Sequence, residues 1–182
     1  MNYRQKTVDL LLQVLGDPAT GFNVQHASLA VTYDVPACAI NWTLPSENLI
    51  LGAFDPELLE LARITAWPAL VIATEEATLT NDKKFASFSG DVIVNLDAYI
   101  RFREVDNPDG GIPAVDISNN YEKRTNAFED AVYRALRAGR SAFGSNDCNW
   151  VQFQSNRSSV GVLADGYTQR ATMICGFRIV IN

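Results

Sequence analysis

Residues 91–103, DVIVNLDAYIRFR, decide the fold class. Val92, Val94, Leu96, Ala98, Ile100 and Phe102 fall on one side of an extended chain. Asp91, Asn95, Asp97, Arg101 and Arg103 fall on the other, with Ile93 and Tyr99 as exceptions. Period-two alternation over this length predicts a strand with one buried face and one largely wet face. At about 3.3 Å per residue it spans roughly 40 Å, so it overruns a small domain and one end projects. Ser87, Ser89 and Gly90 read as the entry to it.

Working outward, residues 69–73 (ALVIA) form a continuous apolar run, the mark of a strand covered on both faces. Before that run, Asp55-Pro56-Glu57 opens a helix, with an N-cap, a first-turn proline and an acid at the positive dipole end. Leu58, Leu59, Ala62 and Ile64 supply its apolar face, and Pro68 closes it. On the other side, residues 107–111 (NPDGG) are a loop by composition. Asn119 with Glu122 resembles a capping box, and a helix follows to about Ala138. Phe128, Ala131, Val132, Ala135 and Leu136 make its apolar face, with Gly139 at the exit. Three strands are predicted at 149–154, 159–164 and 169–181, with a type I′ turn at Asp165-Gly166.

Nearer the N-terminus, residues 5–15 predict a helix buried through Val8, Leu11, Leu12 and Leu15 and stopped by Gly16-Asp17-Pro18. Residues 28–35 alternate loosely, which predicts a strand with Leu29, Val31 and Tyr33 on one side. Residues 41–52 have no periodicity. The expected class is therefore α+β: a mixed, mostly antiparallel sheet with one long strand and helices packed on it. A single domain over 1–182 carries an irregular extension at about 20–66.

The chain has 182 residues, 47% hydrophobic and 20% charged, and a net charge of −6. That composition is globular, and the acidic balance argues against a nucleic-acid-gripping or anionic-membrane surface. It suits a wall past which DNA slides. Basic residues precede a short apolar stretch at the N-terminus, but Gln5, Asp9 and Gln13 interrupt it and no A-x-A site follows. No stretch has the 18 or so apolar residues of a membrane span, so folding in the cytosol is expected. Cys38, Cys148 and Cys175 form no CxxC spacing and read as buried free thiols.

Chemistry is sparse. The single histidine, His26, reads as a partly exposed loop residue, too little for a triad or a His-rich metal site. There is no nucleophile elbow, Walker A or dinucleotide fingerprint. Residues 106–111 (DNPDGG) place Pro108 and Gly110 where a calcium loop needs oxygen ligands. Asp55 with Glu57 and Glu75 with Glu76 are carboxylate pairs that a cap or a solvated face explains. The sequons at Asn41 and Asn156 carry no weight without an export signal. No catalytic residue, cofactor or metal ligand is expected. What remains is partner binding. In the extension, Trp42, Leu44, Ile50, Leu51 and Phe54 either fold back on the core or dock on a neighbour. Asp97, Arg101 and Arg103 on the polar strand face, and Asp109 in the following loop, complete the candidate interface. Trp150 and Phe153 read as core.

The strings WPALVIAT (67–74), FSGDVIVNLD (88–97), AFEDAVYRAL (127–136) and FRIVI (177–181) occur in an order that resembles the tail terminator proteins of tailed bacteriophages, the tail-completion or minor tail U-like group. The likeness covers about 66–181, with the first helix. It implies a virion protein, assembled in the host cytoplasm, that forms a homo-oligomeric ring, usually a hexamer. The ring ends tail-tube polymerisation and joins the tail to the head connector, and DNA passes through its lumen without specific binding. No catalytic residue carries over. The 20–66 region is longer than the family's usual link, which points to an added interface or to another neck protein, a head-completion protein or head–tail adaptor. A small-ligand-binding accessory domain with Trp42 lining a pocket is the other reading, and an enzyme using scattered carboxylates a third.

Overall fold

The computed structural model describes residues 3–52, 68–82, 87–101, 114–145, 148, 150–157 and 171–181. Among them are helices α1 (Tyr3–Leu15), α2 (Phe22–Tyr33), α3 (Ala114–Ala138) and α4 (Arg140–Ser145). The strands are β1 (Leu49–Leu51), β2 (Ala69–Asp82), β3 (Ser87–Arg101), β4 (Trp150–Arg157) and β5 (Ala171–Ile181). The strands form one sheet in the order β1-β2-β3-β5-β4. The β1/β2 pair is parallel and the other three pairs are antiparallel. The class is α+β with a mixed sheet. The predicted strand at 159–164, its turn at Asp165-Gly166, the predicted helix at 55–64 and the loop at 107–111 lie outside the described residues.

β3 carries the alternation that its sequence announces. Val92, Val94, Leu96 and Ala98 are all buried, while Ile93, Asn95 and Asp97 between them are partly exposed. The buried set continues through Leu70 and Ile72 of β2 and Ile179 and Ile181 of β5, and the helices pack against this one face. Phe22, Phe128 and Phe143, from α2, α3 and α4, fill the layer between. Burying each such side chain contributes on the order of 2–3 kcal/mol. Residues 69–72 are buried on both faces of the sheet, as the apolar run implied. β2 continues well beyond that run, to Asp82.

Three expectations about the first half of the chain are corrected. Residues 28–35 are no strand: 28–33 are the end of α2, whose buried positions Phe22, His26, Leu29 and Ala30 follow helical spacing. Val31, an inward residue of the expected strand, is 84% exposed. His26 is therefore not a partly exposed loop residue but is buried within that helix. Of the supposed irregular stretch at 20–66, residues 22–33 are helix and 49–51 strand, 34–48 between them are irregular, and 53–66 lie outside the described residues. Farther on, Asn119 does not cap α3, which begins at Ala114 and holds Asn119 in its interior. Its apolar face and its end at Ala138 are as read. α4, with Phe143 fully buried, was not anticipated. A Cβ on Gly139, between the two helices, would lie 2.2 Å from Val14 Cγ1 of α1, so only glycine lets α1 approach this corner.

The two central strands outrun their neighbours. β5 accompanies β3 only as far as Val92, which pairs with Ile181. β1 accompanies β2 only from Leu70 to Ile72. Beyond those points, among the described residues, β2 and β3 pair only with each other, from Thr78 opposite Asp91 to Asp82 opposite Ser87. This two-stranded arm reaches about 16 Å past the sheet at about 3.3 Å per residue. The projecting end is thus the one nearest the β2–β3 connection.

Candidate assembly surface

The irregular segment between α2 and β1 is held by side-chain amides acting in place of strand partners. Asn23 of α2 accepts from the Ile40 N–H at 2.8 Å and donates to the Ile40 carbonyl at 2.9 Å. Asn48, 2% exposed, accepts from the Asn41 N–H and donates to the Ala39 carbonyl, both at 2.9 Å. Ser46 Oγ accepts from the N–H groups of Asn48 and Leu49. Where such a segment is buried, as at Ile40 and Asn48, an unmade backbone bond costs about 1–3 kcal/mol.

The aromatic side of the segment faces inward. Trp42 stands edge-on to Phe22, ring centroids 6.1 Å apart, and lies over Gly16, where any Cβ would come within 2.9 Å of Trp42 Cβ. Its Nε1 is buried and has no hydrogen-bond partner. His26 packs against Phe22 and Phe128, and its Nδ1 accepts from the Cys38 N–H at 3.3 Å. Burial lowers the His26 pKa to about 4, so the ring is neutral at pH 7. Burial also pushes the Cys38 thiol up to about 12. It is a protonated packing residue rather than a nucleophile.

Of the extension residues read as an interface, Trp42 and Leu51 fold onto the core, while Leu44 stays 47% exposed. Ile50 is partly exposed, and Phe54 lies outside the described residues. Ile50 nonetheless shares a row with Asp97, with Val71 between them. Cross-strand pairing aligns Ile50, Val71, Asp97, Gly176 and Asn156 in one row on the face opposite the helices. Asp97 is partly buried there, not freely wet, and that burial raises its carboxyl pKa. The next row holds Ala73, Asn95, Arg178 and Gln154. Asn95 Nδ2 donates to Glu75 Oε2 at 3.3 Å, and Gln152 and Gln154 are exposed. This face mixes amides with charges of both signs. Arg101 ends β3 opposite Ala171, whereas Arg103 and Asp109 lie outside the described residues.

Residue patterning concealed a further surface, the outer side of α2. The helix contains no charged residue, and Val24, Ala27, Ser28, Val31 and Thr32 are all exposed on it. The helical spacing of 24, 27, 28 and 31 was the available signal, and the strand reading of 28–35 hid it. By contrast α3 is tied inward by polar bonds. Tyr33 Oη donates to Asp130 Oδ2 and Ser155 Oγ donates to Glu129 Oε1, each at 2.7 Å.

Among the described residues, no group of three His, Cys, Asp or Glu side chains is arranged to hold a metal ion. No helix among them is long and apolar enough to cross a membrane. No protein-family model matches the chain, and no curated protein matches it either.

Proposed function

We propose that the chain is a structural subunit of a tailed bacteriophage, a tail terminator. It closes the top of the tail tube as a homo-oligomeric ring and joins the tail to the head connector. The observation carrying this reading is the placement of the four resembling strings. Residues 69–74 of WPALVIAT, FSGDVIVNLD and FRIVI fall on the three adjacent strands β2, β3 and β5, and AFEDAVYRAL lies in α3, which packs on the same sheet. The likeness therefore describes one packed unit rather than scattered patterning. The net charge of −6 supports a wall that leaves passing DNA ungripped. The role is one of binding and assembly with no chemical step. Its partners are further copies of itself, the tail tube protein and a connector or neck protein, and its place is the virion neck.

Negative-stain microscopy of the purified protein tests the ring, and antibody labelling of virions tests the location. Rings of uniform diameter and label at the head–tail junction are expected. Label elsewhere on the virion, or none, overturns the reading. Label confined to the head side of the junction replaces it with the neighbouring possibility, a head-completion protein or head–tail adaptor. A ligand-binding role through Trp42 has less support, because the indole is seated on Gly16 and Phe22.

A further inference from the structure

One side of α2 is spent on the fold: Phe22, His26, Leu29 and Ala30 are buried, and Tyr33 bonds Asp130 of α3. The other side is open. Val31 is 84% exposed and Val24 41%, and Ala27, Ser28 and Thr32 beside them are exposed too. Of the helices among the described residues, α2 is the one that has no charged residue. Its outward residues read the same from either end. Val24 and Val31 flank the small pair Ala27 and Ser28, each valine three residues from its nearer small neighbour. The two ends of the helix are complementary as well. Gly21, the N-cap, makes no side-chain cap bond, so the first N–H groups present the positive end of the dipole uncapped. Asp34, the C-cap, has a side chain 97% exposed, in a 3.8 Å contact with Lys123.

We infer that the outer face of α2 pairs antiparallel with the same face of a second copy of this chain, across a twofold axis. A twofold contact requires a surface complementary to itself, and the palindromic order of Val24, Ala27, Ser28 and Val31 supplies one. With the axis between Ala27 and Ser28, Val24 lies beside Val31 of the second copy, and Val31 beside its Val24. The small pair sits where the helices cross, which lets the axes approach to the short end of the usual 8–10 Å, about 8 Å. The same register sets Asp34 opposite Gly21 of the second copy, a carboxylate against an uncapped helix start, twice per pair. Copies with a net charge of −6 repel each other, and a helix without charge is where they meet at least cost. The contact is about 18 Å long at about 1.5 Å per residue, small beside the roughly 800 Å² per partner of a standard interface. The pairing is therefore weak and reversible. It stands apart from the ring reading, because a ring repeats head-to-tail contacts whereas this one closes at two copies.

Sedimentation equilibrium of the full chain over a wide concentration range tests the pairing. Val31→Glu places a carboxylate in the apolar contact twice per pair and should weaken association by about tenfold or more. Gln13→Glu, the same change of charge on the exposed side of α1, should leave it unaltered, and Asp34→Asn should weaken it several-fold. Cross-linking fixes the direction. Val24→Cys and Val31→Cys are placed in separate copies whose Cys38, Cys148 and Cys175 are replaced by Ala, with folding checked by circular dichroism. The copies are mixed and oxidised with copper phenanthroline. The expected product is a disulfide dimer in the mixture and in neither variant alone, since like positions lie about 10 Å apart along the helices at about 1.5 Å per residue. If the cysteine-free chain does not fold, Val31→Glu in the unaltered chain still decides. An oligomer that Val31→Glu leaves unchanged, or in which Val24→Cys links to itself, overturns the α2 contact and leaves the ring standing. Mixed product from a particle no larger than a dimer upholds the contact and removes the ring. Copies that stay single while binding purified tail tube protein through Val31 give the face to a different occupant and overturn the pairing. A protein that stays monomeric at every concentration overturns both.

Discussion

The segment from Asp34 to Asn48 and the arm formed by β2 and β3 are opposites. The first has no regular secondary structure and is heavily supported. Asn23, His26, Ser46 and Asn48 bond its backbone, and Ile40 and Trp42 pack on Phe22 and its neighbours. The second has regular, continuous strand pairing, yet beyond Val92 its two strands have only each other among the described residues. Regular backbone and support by the rest of the fold are therefore separate properties. An irregular segment can be tied to the core at a few points, here through Ile40, Trp42 and Asn48. Regular strand pairing can run on past the described neighbours that flank it.

The sharpest way to break that contrast is Asn48→Ala, which removes a buried side chain together with its bonds to the Asn41 N–H and the Ala39 carbonyl. Urea denaturation should record a loss of about 3–4 kcal/mol. Acid attacks the same segment through His26. Its folded pKa, about 4, lies below the unfolded value of 6.5, so the unfolded chain binds the extra proton between those values. Stability is full above about pH 6.5 and falls by about 3 kcal/mol as the pH drops to about 4. Asp97 works in the opposite direction, since its raised folded pKa means that acid relieves its burial. Asp17, held low by the N–H groups of Thr20 and Ala19, matters only below its ordinary 3.8. His26 is the chain's single histidine, so the urea midpoint of His26→Gln should be nearly flat between pH 7 and pH 5.

Asn23→Ala removes the two bonds to Ile40 from a less buried position and should cost about 2 kcal/mol in the same assay. At the other extreme, Thr80→Ala in the arm should change the stability of the isolated subunit by less than about 0.5 kcal/mol. Hydrogen exchange sharpens the comparison without a mutation. Amides of 78–82 and 87–91 should exchange well before those of 92–98.

Much of the sheet was legible because strand alternation is local. Residues 92–98 announce their buried face one residue at a time, and the apolar face of α3 repeats at helical spacing from Phe128 to Leu136. Residues 22–33 misled because Leu29, Val31 and Tyr33 also fit period two. The correct period needed His26 to count as a core residue, which a polar ring does only once a backbone N–H and two phenyl rings surround it. The candidate surface was legible in part. Trp42 and Asp97 stood out as types, but whether each faced inward or outward depended on Gly16 and Val71, far away in the chain.

By itself the sequence determined the class of elements, the hydrophobic face of β3 and α3, and the strand's excess of length over any small sheet. These are properties of side-chain periodicity and backbone rise, which need no knowledge of neighbours. Only the tertiary structure decided which end of β3 projects, because that depends on where β5 and β1 stop. It also decided that an irregular stretch could be anchored to the core, because the amides bonding its backbone come from α2 and from its own far end. Periodicity is written along the chain. Satisfaction of a backbone group is a fact about whatever folds beside it.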